Sequence, residues 1–407
     1  MSGYINVKPI LYNDTDGQQE GQFSLIHIPL HLYSSLLQPI LRVLLPNGGP
    51  IHNEDPEGPL EGVSVDNKHG FLNISVTPIE CSIVCHKTWA QNVFDPVIGR
   101  LPEELSKQVQ ISKDTYMVFS VSSAGMEAGQ RVMDLTAPLA MAGIPIFFIT
   151  TYYTDFILVP SKDRQTVGEV LLERGFEFSE NDSAYVAPIA FAHARSPSVS
   201  SEPSTPPPTN VPDLQARTFS HLKKRSVVPF VEPNLHLVQC SGKEILSGDD
   251  YLNRNMNGNS SNGNHNGHSW LDNIDPKLYI GIVSALVQRP RFLSITLAQD
   301  DAPSLLLDKN LLYLFGNSIA GDMDCDLVPI FLDLANLPFE STGIVCGVAG
   351  KLVDEMRGLQ AINQEEGSLP ELSYSSTARA GAVVLSCEES VRALSILLPL
   401  LETAEVT

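Results

Sequence analysis

The chain has 407 residues, 43% of them hydrophobic and 18% charged, and carries a net charge of -21. At roughly 150 residues per domain that length predicts about two to four compact units with real cores. The acidic balance argues against a nucleic-acid or anionic-membrane surface, which needs a concentrated basic field. Residues 1–20 lack a basic stretch followed by an apolar one, so no secretory signal is expected. No membrane insertion is expected either, because Asp155 and Pro399 interrupt the most apolar stretches before the ~18 residues that a spanning helix requires.

In chain order, residues 23–94 read as a strand or helix followed by the strand-like runs FLNISVT and IECSIVCHK. Cys81, Cys85 and His86 lie in the second run, where four residues of strand span roughly 13 Å, too far for the two thiols to bond or to share an ion. They read as core residues. Six cysteines in the whole chain are too sparse for a disulfide scaffold, and the cytoplasm is the simplest compartment. MVFSVSS (117–123) is strand-like, residues 127–143 have helical apolar spacing, IPIFFITT and DFILVPS form a hairpin, and TVGEVLLERGF (166–176) is a helix. The hairpin's knuckle, Thr150 to Asp155, has two tyrosines where a plain turn would use Asn-Gly or Asp-Gly.

Residues 196–212, SPSVSSEPSTPPPTNVP, are too rich in Pro, Ser and Thr to bury a core and read as linker, with Ser196-Pro197 and Thr205-Pro206 as weak proline-directed phosphorylation sites. Residues 253–268 are an Asn/Gly-rich loop in which His265 and His268 read as polar filler. From about Asp275 a second ordered half begins, with RFLSITLA and LLLDKNLLYLFG strand-like. Asp322, Asp324 and Asp326 imitate a calcium loop, but the sixth position is Leu327 and the twelfth Asp333, which excludes it. LVPIFLDLA (327–335), a helix over 341–356, the hairpin LSYSS with GAVVLS, and a helix over 390–402 repeat the β-α-β-β-α order. Gly343, Gly347 and Gly350 lack dinucleotide-fingerprint spacing and suggest a helix lying close on a sheet. No nucleophile elbow, phosphate loop or H-E-x-x-H is present, so no catalytic residue, metal or cofactor is expected.

DFILVP after a Thr-Tyr-x-Thr knuckle, the preceding strand and helix, and GIVCGVAG late in the chain resemble the tandem ACT-domain proteins of the CASTOR type, cytosolic arginine sensors of the TOR pathway. The chain is similar to a divergent, fungal-like member. The resemblance implies an α+β fold of four tandem ACT, ferredoxin-like β-α-β-β-α-β domains arranged in two pairs. Their bounds are 1–100, 101–190, 231–322 with the 253–268 insertion, and 323–407, with a disordered linker over 191–230. It implies an amino acid bound between the second and fourth domains by Pro145 and Ile146, by Pro338, Ile344 and Val345, and by Ser376, Thr377, Ala378, Arg379 and Ala380. The family's serine, glutamate and guanidinium-binding aspartate fall on Pro145, Ser341 and Ala380, with Arg379 beside the last. A buried guanidinium needs a carboxylate or several acceptors, so a smaller neutral or acidic ligand is expected in place of arginine. The resemblance also implies a protein partner complex of the GATOR type, facing Tyr152, Tyr153, Thr154 and Asp155. It leaves a homodimer open. A ligand-free ACT scaffold, and behind it an amino-acid metabolic enzyme or its regulatory subunit, are the alternatives.

Overall fold

Short runs alternating between two buried faces supply twelve principal strands. They are β1 (Phe23–Pro29), β2 (Phe71–Val76), β3 (Glu80–His86), β4 (Tyr116–Ser123), β5 (Phe147–Thr150) and β6 (Asp155–Pro160) in the N-terminal half. The C-terminal half contributes β7 (Leu237–Gly242), β8 (Leu293–Ala298), β9 (Ser304–Asp308), β10 (Leu327–Asp333), β11 (Ser373–Ser376) and β12 (Ala380–Ser386). The computed structural model describes residues 5–14, 17–45, 69–123, 128–178, 208–243, 275–299, 301–339, 341–363 and 371–402. The 253–268 insertion with His265 and His268, and the Pro/Ser/Thr-rich stretch up to residue 207, lie outside them.

The expected four ferredoxin-like units in two pairs are not what these strands build. Every strand has an antiparallel partner on both sides, and the order β1-β3-β2-β8-β9-β7-β10-β12-β11-β5-β6-β4 returns to β1. The result is a closed twelve-stranded antiparallel barrel. An open sheet presents a row of unpaired N–H and C=O groups at each edge, and closure removes the edges altogether. Four joints close the ring. The β2–β8 seam runs six residue pairs, from Leu293 with Val76 to Ala298 with Phe71. The β5–β11 seam has one, Ser375 with Ile149, and the β1–β4 and β7–β10 corners have one each.

Alternation sorts the side chains. Leu72, Ile74, Cys81, Ile83 and Cys85 point outward into a core completed by Ile40 and Val43 of α1 (Leu37–Leu44) and Ile282 and Leu286 of α5 (Pro276–Val287). Both cysteines are free, and burial pushes their thiols far above the ordinary range. Around the other half of the ring, α2 (Ala128–Met141), α3 (Arg164–Glu173), α4 (Val211–Lys224), α6 (Ile344–Asn363) and α7 (Cys387–Leu401) contribute to a second outer core over Phe119, Phe148, Ile157, Ile330 and Val383. The opposite strand faces turn inward. They carry two smaller apolar clusters, one around Phe23, Leu25, Phe156 and Leu158 and one around Leu237, Phe331 and Val384. Between β2 and β8 the inward residues are polar: Asn73 Nδ2 donates to Thr296 Oγ1 at 3.0 Å, and Ser75 Oγ lies 2.8 Å from Ser294 Oγ.

α4 corrects the disordered linker over 191–230. Asn210 caps it by accepting from Asp213 N–H, and Leu214, Thr218, Phe219 and Leu222 form a buried stripe. That stripe follows the Pro-rich run so closely that composition hid it. Helices rather than a sheet are also what Gly343, Gly347 and Gly350 approach: the first two meet α4, and the third meets Met133 of α2 and Gln215 of α4. A Cβ on Gly347 would come within 2.7 Å of Thr218 Cγ2.

Candidate functional site

Where β5 meets β11, ladder bonds are supplemented by side-chain hydroxyls. Phe148 N–H donates to Ser376 Oγ at 3.0 Å, and Tyr374 N–H to Thr150 Oγ1 at 3.1 Å. Beyond this short seam lies a cavity of about 40 Å3, bounded by β5, by the 334–345 segment leading into α6, and by the turn between β11 and β12. Eight residues expected at a ligand site line it: Ile146, Pro338, Ile344, Val345, Ser376, Thr377, Ala378 and Ala380. The other two do not. Pro145 is buried one residue before the wall, and the Arg379 guanidinium turns away. It lies 3.9 Å over the Phe339 ring and donates to Leu337 O at 2.8 Å and to Gln110 Oε1.

The polar groups near this space are few. The first-turn N–H groups of α6, at Ile344, Val345 and Cys346, precede the first intrahelical bond, from Gly347 N–H to Gly343 O at 2.7 Å. Tyr374 is 1% exposed, and its hydroxyl has no protein hydrogen-bond partner among the described residues. Burial pushes this phenol well above its ordinary pKa, so it stays a neutral donor. No described carboxylate lines the cavity; Glu340 lies outside the described residues. Burial likewise raises the Cys346 thiol to about 11, and it is no thiolate nucleophile at neutral pH.

The turn itself is built by Thr377, whose N–H donates to Ala380 O at 2.8 Å while its Oγ1 accepts from Ala380 N–H at 3.1 Å. Its position is set from across the barrel. Glu80 of β3 is fully buried and accepts from Thr377 Oγ1 at 2.6 Å and from the Arg379 N–H, with His27 Nδ1 2.5 Å from its other oxygen. Ser82 Oγ accepts from Ala378 N–H at 3.0 Å. Sequence reasoning missed Glu80, Leu334, Leu337 and Tyr374. Only Tyr374 left a signal, as the one aromatic in the small polar run LSYSS.

The knuckle divides. Tyr152 and Tyr153 are 37% and 59% exposed, their rings edge to face with centroids 4.7 Å apart. They still touch the far half of the barrel, through Tyr152 N–H to Ser304 Oγ at 2.9 Å and Tyr153 Oη to Ser241 Oγ at 3.1 Å. Thr154 is half-buried, its N–H and C=O both bonded to Thr151. Asp155 lies inside. It is 3% exposed, 3.0 Å from Arg131 Nε, and burial holds its carboxyl above the usual range although Arg131 pulls the other way. A partner at the surface would meet the tyrosines and not this carboxylate.

The strand, helix and hairpin that carry the knuckle are also where similarity to known proteins falls. Residues 111–173 match the ACT domain family. No curated protein matches the chain by sequence. Among solved structures, a protein from Agobacterium tumefaciens is similar at 20% identity and a TM-score of 0.25, over 43% of this chain and 92% of its own. An aspartate kinase from Synechocystis is similar at 10% identity and a TM-score of 0.28, over 99% of this chain. The chain spans 57% of that kinase's length. No described helix is long and apolar enough to cross a membrane.

Proposed function

We propose that this is a non-catalytic regulatory protein that holds a small neutral amino acid in the cavity between β5, the start of α6 and the β11–β12 turn. The ACT match over residues 111–173 suggests a small-ligand-binding regulatory role. The observation that carries the reading is the buried, unpartnered hydroxyl of Tyr374, a residue that lines the same cavity as Ile344 and Val345 in the first turn of α6. Together they suit a carboxylate: the N–H groups are free of helical partners and favour negative charge, and the phenol adds a neutral donor. With no described carboxylate in the wall, a guanidinium would be buried unpaired, so arginine is disfavoured.

How would binding become a signal? A ligand shifts an equilibrium only by its differential affinity for two arrangements, and a ligand here touches both sides of the short β5–β11 seam. In this reading the exposed Tyr152 and Tyr153 meet a protein partner, of the GATOR type in the cytoplasmic TOR pathway if the resemblance of the 152–159 segment extends to function. Tyrosine offers large amphipathic area at small rotamer cost. The second reading is a ligand-free scaffold, and the cavity's size favours it. About 40 Å3 has room for roughly three water molecules, whereas ligand pockets run to about 300 Å3 and more.

Thermal shift and calorimetry with each amino acid in turn separate the two. Glycine, alanine or serine is expected to stabilise the protein by about 2.7 kcal/mol at 100 times its Kd, with no shift from arginine. Tight, selective arginine binding would refute the ligand assignment, and no shift with any amino acid would leave the scaffold.

A further inference from the structure

We propose that Glu80, which does not line the cavity, holds the 376–380 turn shut and so sets the largest ligand the cavity admits. The inference rests on the ligand-binding reading above. The turn's internal bonds, Thr377 with Ala380 in both directions, fix its shape but not where it lies. Its place is fixed from β3: the Glu80 carboxylate receives the Thr377 hydroxyl and the Arg379 N–H, and Ser82 receives the Ala378 N–H. Three consecutive residues of the turn, two of them in the cavity wall, are therefore tied to a strand about 300 positions earlier in the chain. An outer clasp adds to this, the Arg379 guanidinium bonding Leu337 O and Gln110 Oε1.

A fully buried carboxylate is a costly way to fasten a loop. Well-packed apolar side chains of similar volume generally hold two surfaces together at least as firmly. What a carboxylate supplies is a directional, charge-assisted grip on donors that release together. Because the grip acts on the turn as a unit, letting go moves one wall of the cavity while Thr377 and Ala380 keep the turn folded. A ligand too large for this cavity has to displace this wall or be refused. Glu80 is thus a positioning residue, acting on the ligand through residues 377–379.

The test compares wild type with Glu80→Gln, which keeps the volume and removes the charge, and with Ser82→Ala, which removes the acceptor of the Ala378 N–H and leaves the carboxylate and the turn's internal bonds in place. Glycine, alanine and leucine are titrated into each by calorimetry, and amide exchange is followed over residues 373–386. Wild type is expected to bind glycine or alanine and refuse leucine. Both variants are expected to exchange at least tenfold faster at 377–380 with α6 unchanged, and to accept leucine with at least a tenfold gain in affinity. If wild type binds glycine or alanine but the variants keep both its size limit and its exchange rates, the inference falls and the ligand-binding reading stands. Exchange accelerated throughout both variants, with the size limit unchanged, makes Glu80 merely structural and also overturns it. If no amino acid binds to any of the three proteins, the reading falls and the inference falls with it.

Discussion

The unpartnered Tyr374 hydroxyl sits against Gly381, and the pair gives a test of the cavity wall that needs no ligand. A Cβ on residue 381 would come 2.5 Å from Tyr374 Oη, with Cζ next at 3.3 Å and Leu334 Cδ1 at 3.7 Å. Gly381→Ala therefore forces one buried hydroxyl against a methyl, an overpacking cost of about 1–3 kcal/mol. Relief of glycine's strand entropy returns roughly 0.5–1 kcal/mol. The net expectation is a loss of about 1–2 kcal/mol. Tyr374→Phe removes a hydroxyl with no protein partner and should stabilise by about 1 kcal/mol, since an unsatisfied buried polar group is itself destabilising. In the Phe background the closest atom to the new methyl is the ring carbon, so Gly381→Ala should become neutral within about 0.5 kcal/mol. The coupling between the two sites, read from urea melts of all four proteins, is then about 1–2 kcal/mol. Additivity within about 0.5 kcal/mol, or a Tyr374→Phe protein that loses more than about 1 kcal/mol, would show the hydroxyl to be satisfied and refute the reasoning. Where a ligand carboxylate meets that hydroxyl, the same Tyr374→Phe change should weaken its binding by roughly threefold to tenfold even as the free protein gains stability.

Arg131→Leu leaves the Asp155 carboxylate buried without its cation and should destabilise by about 2–4 kcal/mol at pH 7. Burial raises the folded carboxyl above its unfolded value of 3.8, so its contribution is complete below that value and is lost as pH rises through the folded one. Without Arg131 the folded value rises further; melts should show the gap to wild type widening from pH 3 to pH 7, and Asp155→Asn should close it. Gly347→Ala should part α4 from α6 and cost about 1–3 kcal/mol, seen as faster amide exchange in residues 211–224 before any other helix. Tyr152→Ala and Tyr153→Ala should each change stability by less than about 1 kcal/mol, because both side chains are exposed. If the knuckle is a partner surface, binding should weaken by more than about 2 kcal/mol in the same variants.

Local periodicity carried the elements. The 144–160 hairpin, the helix after Gly343 and the 373–386 hairpin were readable because each is specified by neighbours a few residues away. What closes the sheet was not. Leu293 pairs with Val76 and Ser375 with Ile149, partners more than 200 residues apart whose match depends on edges and not on any motif. Alternation in FLNISV and LSITLA told which face each residue takes, but not that Asn73 would meet Thr296. The candidate site divides the same way. Residues adjacent in sequence to the expected loop were found, whereas Glu80 reads as one acid in an apolar strand and reveals its task only when the barrel brings it to Thr377. Asp155 looked like part of an exposed turn because nothing local announces Arg131 beneath it.

The unequal seams give the barrel a mechanical sense. Within the sheet its two halves, β1–β6 and β7–β12, join along two seams: one stitched by six residue pairs and an Asn-Ser-Thr network, the other by a single pair and two hydroxyls. The long seam is the strong joint of the sheet and the short one the weak joint. Since the cavity lies at the weak joint, a ligand there would bear on a seam held in the sheet by one residue pair and two hydroxyls, with α2 and α6 packed over its outer face. The Tyr152–Tyr153 knuckle rests on Ser304 and Ser241 of the other half. One tie between the halves therefore lies at the surface, carried by two exposed rings.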